Sequence, residues 1–182
     1  MRQAIGRIGR FIATVAVARH RLFVWLSSPT LPDHSLFVFA REDDYFFGVL
    51  HSRTHEVWAL RQGTQLESRP RYTPTSCFET FPLPRPTELQ TREIAAAAAE
   101  LNSHREGWLN PDMSTGALSE KDLNERTLTN LYNQRPPWLD NTHRALDAAV
   151  FAAYGWREPP GKLSDAEILA RLLKLNLERE PA

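Results

Sequence analysis

Three prolines at alternate positions, Pro82, Pro84 and Pro86 in FPLPRP, constrain the fold of this chain more than any other feature. Proline has no backbone N–H and clashes with the preceding turn, so neither a helix nor a paired strand runs through such a stretch. The two sides of it read differently. Before it, FIATVAVARHRLFVWL (11–26) and SLFVFA (35–40) are rich in β-branched and aromatic residues, which favour strands. After it, apolar residues recur at helical spacing. The expected fold class is α+β. Residues 1–85 form a small strand-rich subdomain with one helix, and residues 86–182 form an all-α helical subdomain.

Local signals refine this division. SSPTLPDH, between the two strand-like runs, is turn chemistry. DDYFFGVLHSRTHEVWALRQG reads as one helix, with Asp43 or Asp44 as cap and Gly63 as stop. Phe46, Phe47, Leu50, Val57 and Trp58 make its buried stripe. TQLESRPRYT and CFETFPLPRP read as short extended pieces. Thr87 with Gln90 forms a capping box before REIAAAAAELNSHREGWL. SEKDLNERTLTNLYN and WLDNTHRALDAAVFAAYGW are two further helices. Ser164 with Glu167 caps a last one, DAEILARLLKLNLERE.

The net charge of zero hides an asymmetry. Residues 1–71 hold ten Arg and six acids, hence +4; residues 72–182 hold twelve Lys or Arg and sixteen acids, hence −4. Arg2, Arg7, Arg10, Arg19 and Arg21, with His20, all precede the first acid, Asp33. Such an opening suits contact with a polyanion, or equally a solvated face of a strand pair. It also resembles a mitochondrial transit peptide, although its β-branched content argues against an amphipathic helix. Cys77 is the only cysteine, which excludes an internal disulfide framework and fits a reducing cytoplasm. No apolar run approaches the ~18 residues of a membrane span.

NQRPPW (133–138) resembles the Asn-Pro-Pro-Trp box of enzymes that methylate the exocyclic amine of a base. There the Asn or Asp stands directly before the prolines and grips the amine. Here Arg135 holds that position, and arginine accepts no hydrogen bond. The stretch therefore reads as a loop between two helices, and no catalytic residue is assigned. His51 and His55 have a metal-binding spacing on a helix, but no Cys or carboxylate lies at ligand spacing beside them. They read as a structural or DNA-facing pair, and no metal is expected. No nucleophile elbow, phosphate loop or dinucleotide fingerprint appears.

Glu67-Ser68-Arg69 is the most suggestive constellation. In an extended segment residues 67 and 69 face one way, about 7 Å apart. A carboxylate accepts from the cytosine amine, and a guanidinium donates to guanine O6 and N7, so the pair could read one C·G base pair. Arg71 continues that face and could hold a phosphate. The plain alternative is a surface strand with an ordinary salt bridge.

Four stretches extend the reading: RFIAT...ARHRLFVWL, DDYFFGVLHSRTHEVWALRQGT, RPRYTPTSCFETFPLP and LTNLYNQRPPWLDNTHRALDAAVFAAYGW. Together, over residues 7–156, the chain resembles the C-terminal part of Type IIL (MmeI-like) restriction-modification enzymes, which include an adenine-specific DNA methyltransferase. The resemblance implies that residues 1–85 are the latter part of a target-recognition domain, and 86–182 a helical tail that closes against DNA. It implies that Glu67 and Arg69 read a base pair at the edge of the site. Arg10, Thr14, Arg19 and His20 would face DNA, and Ser52 and Arg53 would lie near its backbone. It also implies that S-adenosylmethionine, used by the full-length enzymes, is not bound by this chain. Two departures stand out. Thr14-Val15-Ala16-Val17 replaces a Thr-Pro-Arg-Val common in relatives, losing one Arg. The nuclease, the cofactor motif and the true Asn-Pro-Pro-aromatic box are missing.

The expected function is sequence recognition on double-stranded DNA, directly or docked on a separate methyltransferase chain. The alternatives are a split methyltransferase subunit active only with a partner chain, and a helical protein-interaction domain. Half a recognition domain would leave a sheet edge and an apolar face uncovered. The chain alone is therefore expected to be marginally stable or to dimerise through that face.

Overall fold

The computed structural model describes residues 2–66, 69–112 and 119–179. The order of elements is α+β, with strands gathered before residue 72 and helices dominating thereafter. A three-stranded antiparallel sheet has β1 (Arg10–Val15) at its centre, flanked by β2 (Val24–Ser27) and β3 (Leu36–Phe39). Ile12 stands opposite Trp25 on one side and Phe39 on the other. β1 is buried on both faces. Ile12 points into the main core, while Phe11 and Ala13 pack on Ile5 of the short helix α1 (Arg2–Ile5).

The strand expected over 11–26 is two strands. β1 ends at Val15, and the chain turns aside to join a second sheet. Val17 bridges Arg71, and Tyr72 N–H donates to Ala16 O (2.8 Å). That second sheet is a hairpin of β4 (Thr64–Leu66) and β5 (Arg69–Arg71), with Leu66 opposite Arg69. The extended piece expected over 64–73 is thus two short antiparallel strands.

The helix expected over 43–63 is also broken. Asp43 caps α2 (Asp44–His51), accepting from Phe46 N–H at 2.9 Å. Ser52 then adopts an extended conformation and caps α3 (Arg53–Gln62). Its hydroxyl donates to Val49 O (2.7 Å) and accepts from His55 N–H (3.5 Å). Serine competes well for backbone groups in this way. Gly63 stops α3, and a β-carbon there would lie 2.6 Å from Arg71 O. Only glycine lets the hairpin close on the helix end.

A π-helical turn (Pro74–Phe78) and the proline stretch lead to α4 (Glu88–Leu109). Its Thr87–Gln90 capping box is formed in both directions. The helix expected over 119–133 is α5 (Glu120–Asn124) and α6 (Leu128–Gln134), because Thr127 caps anew. Arg135 takes a left-handed conformation (φ 43°) and Pro137 opens α7 (Pro137–Ala153). NQRPPW is thus the turn between α6 and α7. Ser164 and Glu167 cap α8 (Asp165–Arg179) reciprocally.

One core crosses the proline stretch. Phe47, Leu50 and Trp58 from α2 and α3 share it with Ile94, Leu101, Leu146, Val150 and Leu172 from the later helices. Gly48 is the closest approach. A β-carbon there would lie 2.9 Å from both Ala98 Cβ and Ile94 Cγ2.

Candidate nucleic-acid interface

Backbone pairing brings together the two segments that carry four of the expected residues, Arg19, His20, Arg69 and Arg71. Backbone pairing ties residues 16–18 to β5: Val17 bridges Arg71, and Ala18 N–H donates to Pro70 O (3.3 Å). The connection carrying Arg19 and His20 therefore lies beside the strand carrying Arg69 and Arg71. Arg19, Arg69 and Arg71 are exposed, and His20 is half-buried. Arg19 and Arg71 make no ion pair among the described residues. Arg69 and Arg71 stand two apart on the exposed face of β5, with Pro70 between them facing inward. Glu67 and Ser68 lie outside the described residues.

Arg21, which the sequence does not distinguish from its basic neighbours, anchors this surface from beneath. It is buried, and Nη1 donates to Thr14 Oγ1 (3.0 Å) and to Val15 O. Nη2 donates to Pro70 O (3.3 Å), and the guanidinium lies over the Tyr72 ring at 5.0 Å. One side chain thus binds β1, the connection and β5 together. Burial pulls its pKa below the usual value, yet a guanidinium stays charged in any protein.

His20 is held from the helical side. Its Nε2 lies 2.9 Å from Asn133 Oδ1, and its ring meets Tyr132 at 5.9 Å. Beside it, an apolar hollow of about 200 Å³ is lined by Val15, Leu22, Val24 and Leu36 of the strand region and Leu128 of α6, with Arg19 and His20 also in its wall.

The remaining expected residues lie elsewhere or face inward. Thr14 is buried, donating to Leu22 O (2.7 Å) while accepting from Arg21. Arg10 sits at the far end of β1. It stacks on Trp25 at 3.8 Å, pairs with Asp44 (2.9 Å) and donates twice to Glu42 O. Ser52 is fully buried as the α3 cap. Arg53 N–H donates to Asp147 Oδ1 (2.7 Å), and its guanidinium binds Asp165 (2.7 Å) and Pro160 O (3.1 Å). These contacts join the α2–α3 break to α7 and α8.

His51 and His55 also face the core. Arg105, buried on α4, donates through Nη1 to His51 Nε2 (2.9 Å) and through Nη2 to Phe23 O (3.0 Å). Phe23 N–H donates to the same His51 nitrogen (3.1 Å). Phe23 O also lies 2.8 Å from that nitrogen, while the permanently charged Arg105 against the ring favours a neutral imidazole. Burial accordingly holds His51 well below its usual pKa, with Arg105 adding to the effect. His55 Nδ1 meets Leu50 O (2.9 Å) and its Nε2 meets the Tyr72 hydroxyl (3.2 Å). Burial lowers its pKa to about 4. Among the described residues no group of His, Cys, Asp and Glu could hold a metal ion, and no helix is long and apolar enough to cross a membrane.

Comparison with known proteins finds similar chains. The chain is 30% identical over 151 residues to DNA methyltransferase A of Bacillus subtilis (strain 168), covering 82% of this chain and 15% of that protein. Its fold matches a solved structure of the Type IIL restriction-modification enzyme MmeI in complex with DNA. The TM-score is 0.74 at 22% identity, over 93% of this chain and 21% of that one. The chain therefore spans about a fifth or less of each relative. The family model for the MmeI target recognition domain matches residues 18–85, the segment that holds His20, Arg21 and the hairpin. Residues 18–85 of this chain are thus similar to the target recognition domain of MmeI, and the fold of the chain as a whole is similar to part of that enzyme.

Proposed function

We propose that this chain recognises a specific sequence in double-stranded DNA for a restriction-modification adenine methyltransferase. The observation that carries the reading is the surface where Arg19, His20, Arg69 and Arg71 converge on one hairpin and its paired connection. That surface lies inside the matched recognition domain. Exposed guanidinium groups contact phosphates and guanine edges. Glu67 and Arg69 are the residues assigned to read a C·G pair, and Arg71 to hold a phosphate. Arg10, Thr14, Ser52 and Arg53 support the fold around the reading surface. Support for the DNA assignment also comes from MmeI, whose structure contains DNA.

Methyl transfer is assigned to another part of the enzyme. Arg135 occupies the position where the family box needs an amide or carboxylate, and it sits in a left-handed turn capping α6. Methyl transfer and the binding of S-adenosylmethionine therefore fall to a methyltransferase region or a separate partner chain, working in the cytoplasm.

Salt dependence tests the DNA assignment. Log affinity for duplex DNA should fall linearly with log salt, and each of Arg19→Ala and Arg71→Ala should reduce the slope by about 0.9. Binding that ignores salt, or slopes unchanged in both variants, would place the contact elsewhere.

A further inference from the structure

We propose that Asn133, on the helical side of the molecule, is a positioning residue that sets how His20 meets a base. The role rests on the DNA-recognition reading above. His20 lies in the connection between β1 and β2, next to the exposed Arg19 and three residues after Val17, which bridges Arg71. Its Nε2 is 2.9 Å from Asn133 Oδ1, a contact spanning 113 residues of sequence.

An amide oxygen only accepts, so the contact places the ring proton on Nε2. The neutral ring then offers Nδ1 as an acceptor, suited to the exocyclic amine of cytosine or adenine. Without Asn133 either tautomer is open, and the ring can rotate to offer a donor instead. One hydrogen bond thus decides which base edge His20 can read.

The surroundings make the clamp stiff. Tyr132, one residue earlier on α6, packs its ring against His20, and its hydroxyl meets His143 Nε2 at 2.8 Å. Asn133 itself lies two residues before the left-handed Arg135, where the NQRPPW turn fixes the end of α6. The stretch that mimics a catalytic box would thereby act on recognition rather than on chemistry.

The test is selection of preferred sequences from random duplexes with the full chain, using wild type, His20→Ala, Asn133→Leu, Asn133→Asp and the double variant His20→Ala/Asn133→Leu. Thermal unfolding of each variant reports on folding alone. Asn133→Leu should lose roughly tenfold in preference at one base pair, the same base pair that His20→Ala affects. The double variant should be no worse than His20→Ala. Asn133→Asp keeps an acceptor for Nε2–H, and at a pH high enough to offset the pull of its carboxylate on the second ring proton it should retain the preference. An intact preference in Asn133→Leu, additive losses in the double variant, or a loss in Asn133→Asp equal to that in Asn133→Leu would each overturn the role. Failure of the wild type to enrich any sequence would overturn the recognition reading, and this role with it.

Discussion

At the residue scale, buried ionisable groups decide how this protein responds to acid. Asp147 on α7 accepts from Arg53 N–H at the start of α3, and burial raises its pKa from 3.8 to about 7. The folded state therefore holds this proton more tightly than the unfolded state. Ionising Asp147 penalises folding, and the penalty grows as pH rises from the usual carboxylate range to about 7. The histidines act in the opposite direction. Burial lowers His55 to about 4 and His143 to about 3, so their stabilising contribution is present above 6.5 and is lost on acidification. Asp147→Asn keeps an acceptor for Arg53 without the charge. It should stabilise the protein by on the order of 1–3 kcal/mol at pH 8. The gain should vanish towards pH 4, as measured by urea unfolding. A gain equal at both pH values would contradict the assignment. None of this was legible in the sequence, where Asp147 is one of two acids on α7. The same holds for Arg10: its charge looks free for DNA until Glu42 and Asp44, more than thirty residues away, are brought to it.

At the scale of elements, local chemistry was legible wherever it is self-contained. The Thr87–Gln90 and Ser164–Glu167 boxes and the Gly63 stop all need only neighbouring residues, and all three form. The breaks at Ser52 and Thr127 were not legible. In α2 and α3 the apolar stripe continues through the break, where Ser52 caps α3 and Asp147 of α7 accepts the next N–H from a distance of 94 residues. Helix packing makes a sharper test. Gly48 on α2 lies against Ala98 and Ile94 of α4, both fully buried, so neither can yield. Gly48→Ala should destabilise by about 1–3 kcal/mol through overpacking, despite the higher helix propensity of alanine. Gly107 on the same α4 has nothing within 4 Å of its missing β-carbon. Gly107→Ala should instead stabilise by about 1 kcal/mol. Denaturant midpoints for the two variants, moving in opposite directions, would confirm the close approach; shifts of the same sign would refute it.

At the scale of the whole molecule, the helical segment and the recognition segment are one packed body. The proline stretch divides the chain by secondary structure, yet Arg105 and Asn133 reach back across it to Phe23, His51 and His20. The fold class was legible from the change of periodicity at the prolines. The candidate site was legible only in part: ARHR and RPR marked the cations, whereas the pairing of residues 16–18 with β5 that joins them is a long-range fact. The central claim is that this joined surface reads DNA sequence, with Glu67 and Arg69 as its code. The most direct measurement is selection from random duplexes at several salt concentrations, wild type beside the double variant Glu67→Lys/Arg69→Asp. The account predicts that the enriched sequence changes at one base pair, from C·G towards G·C, while overall affinity and its salt slope hold. Enrichment of an identical sequence by both proteins, or of none by either at low salt, would contradict it.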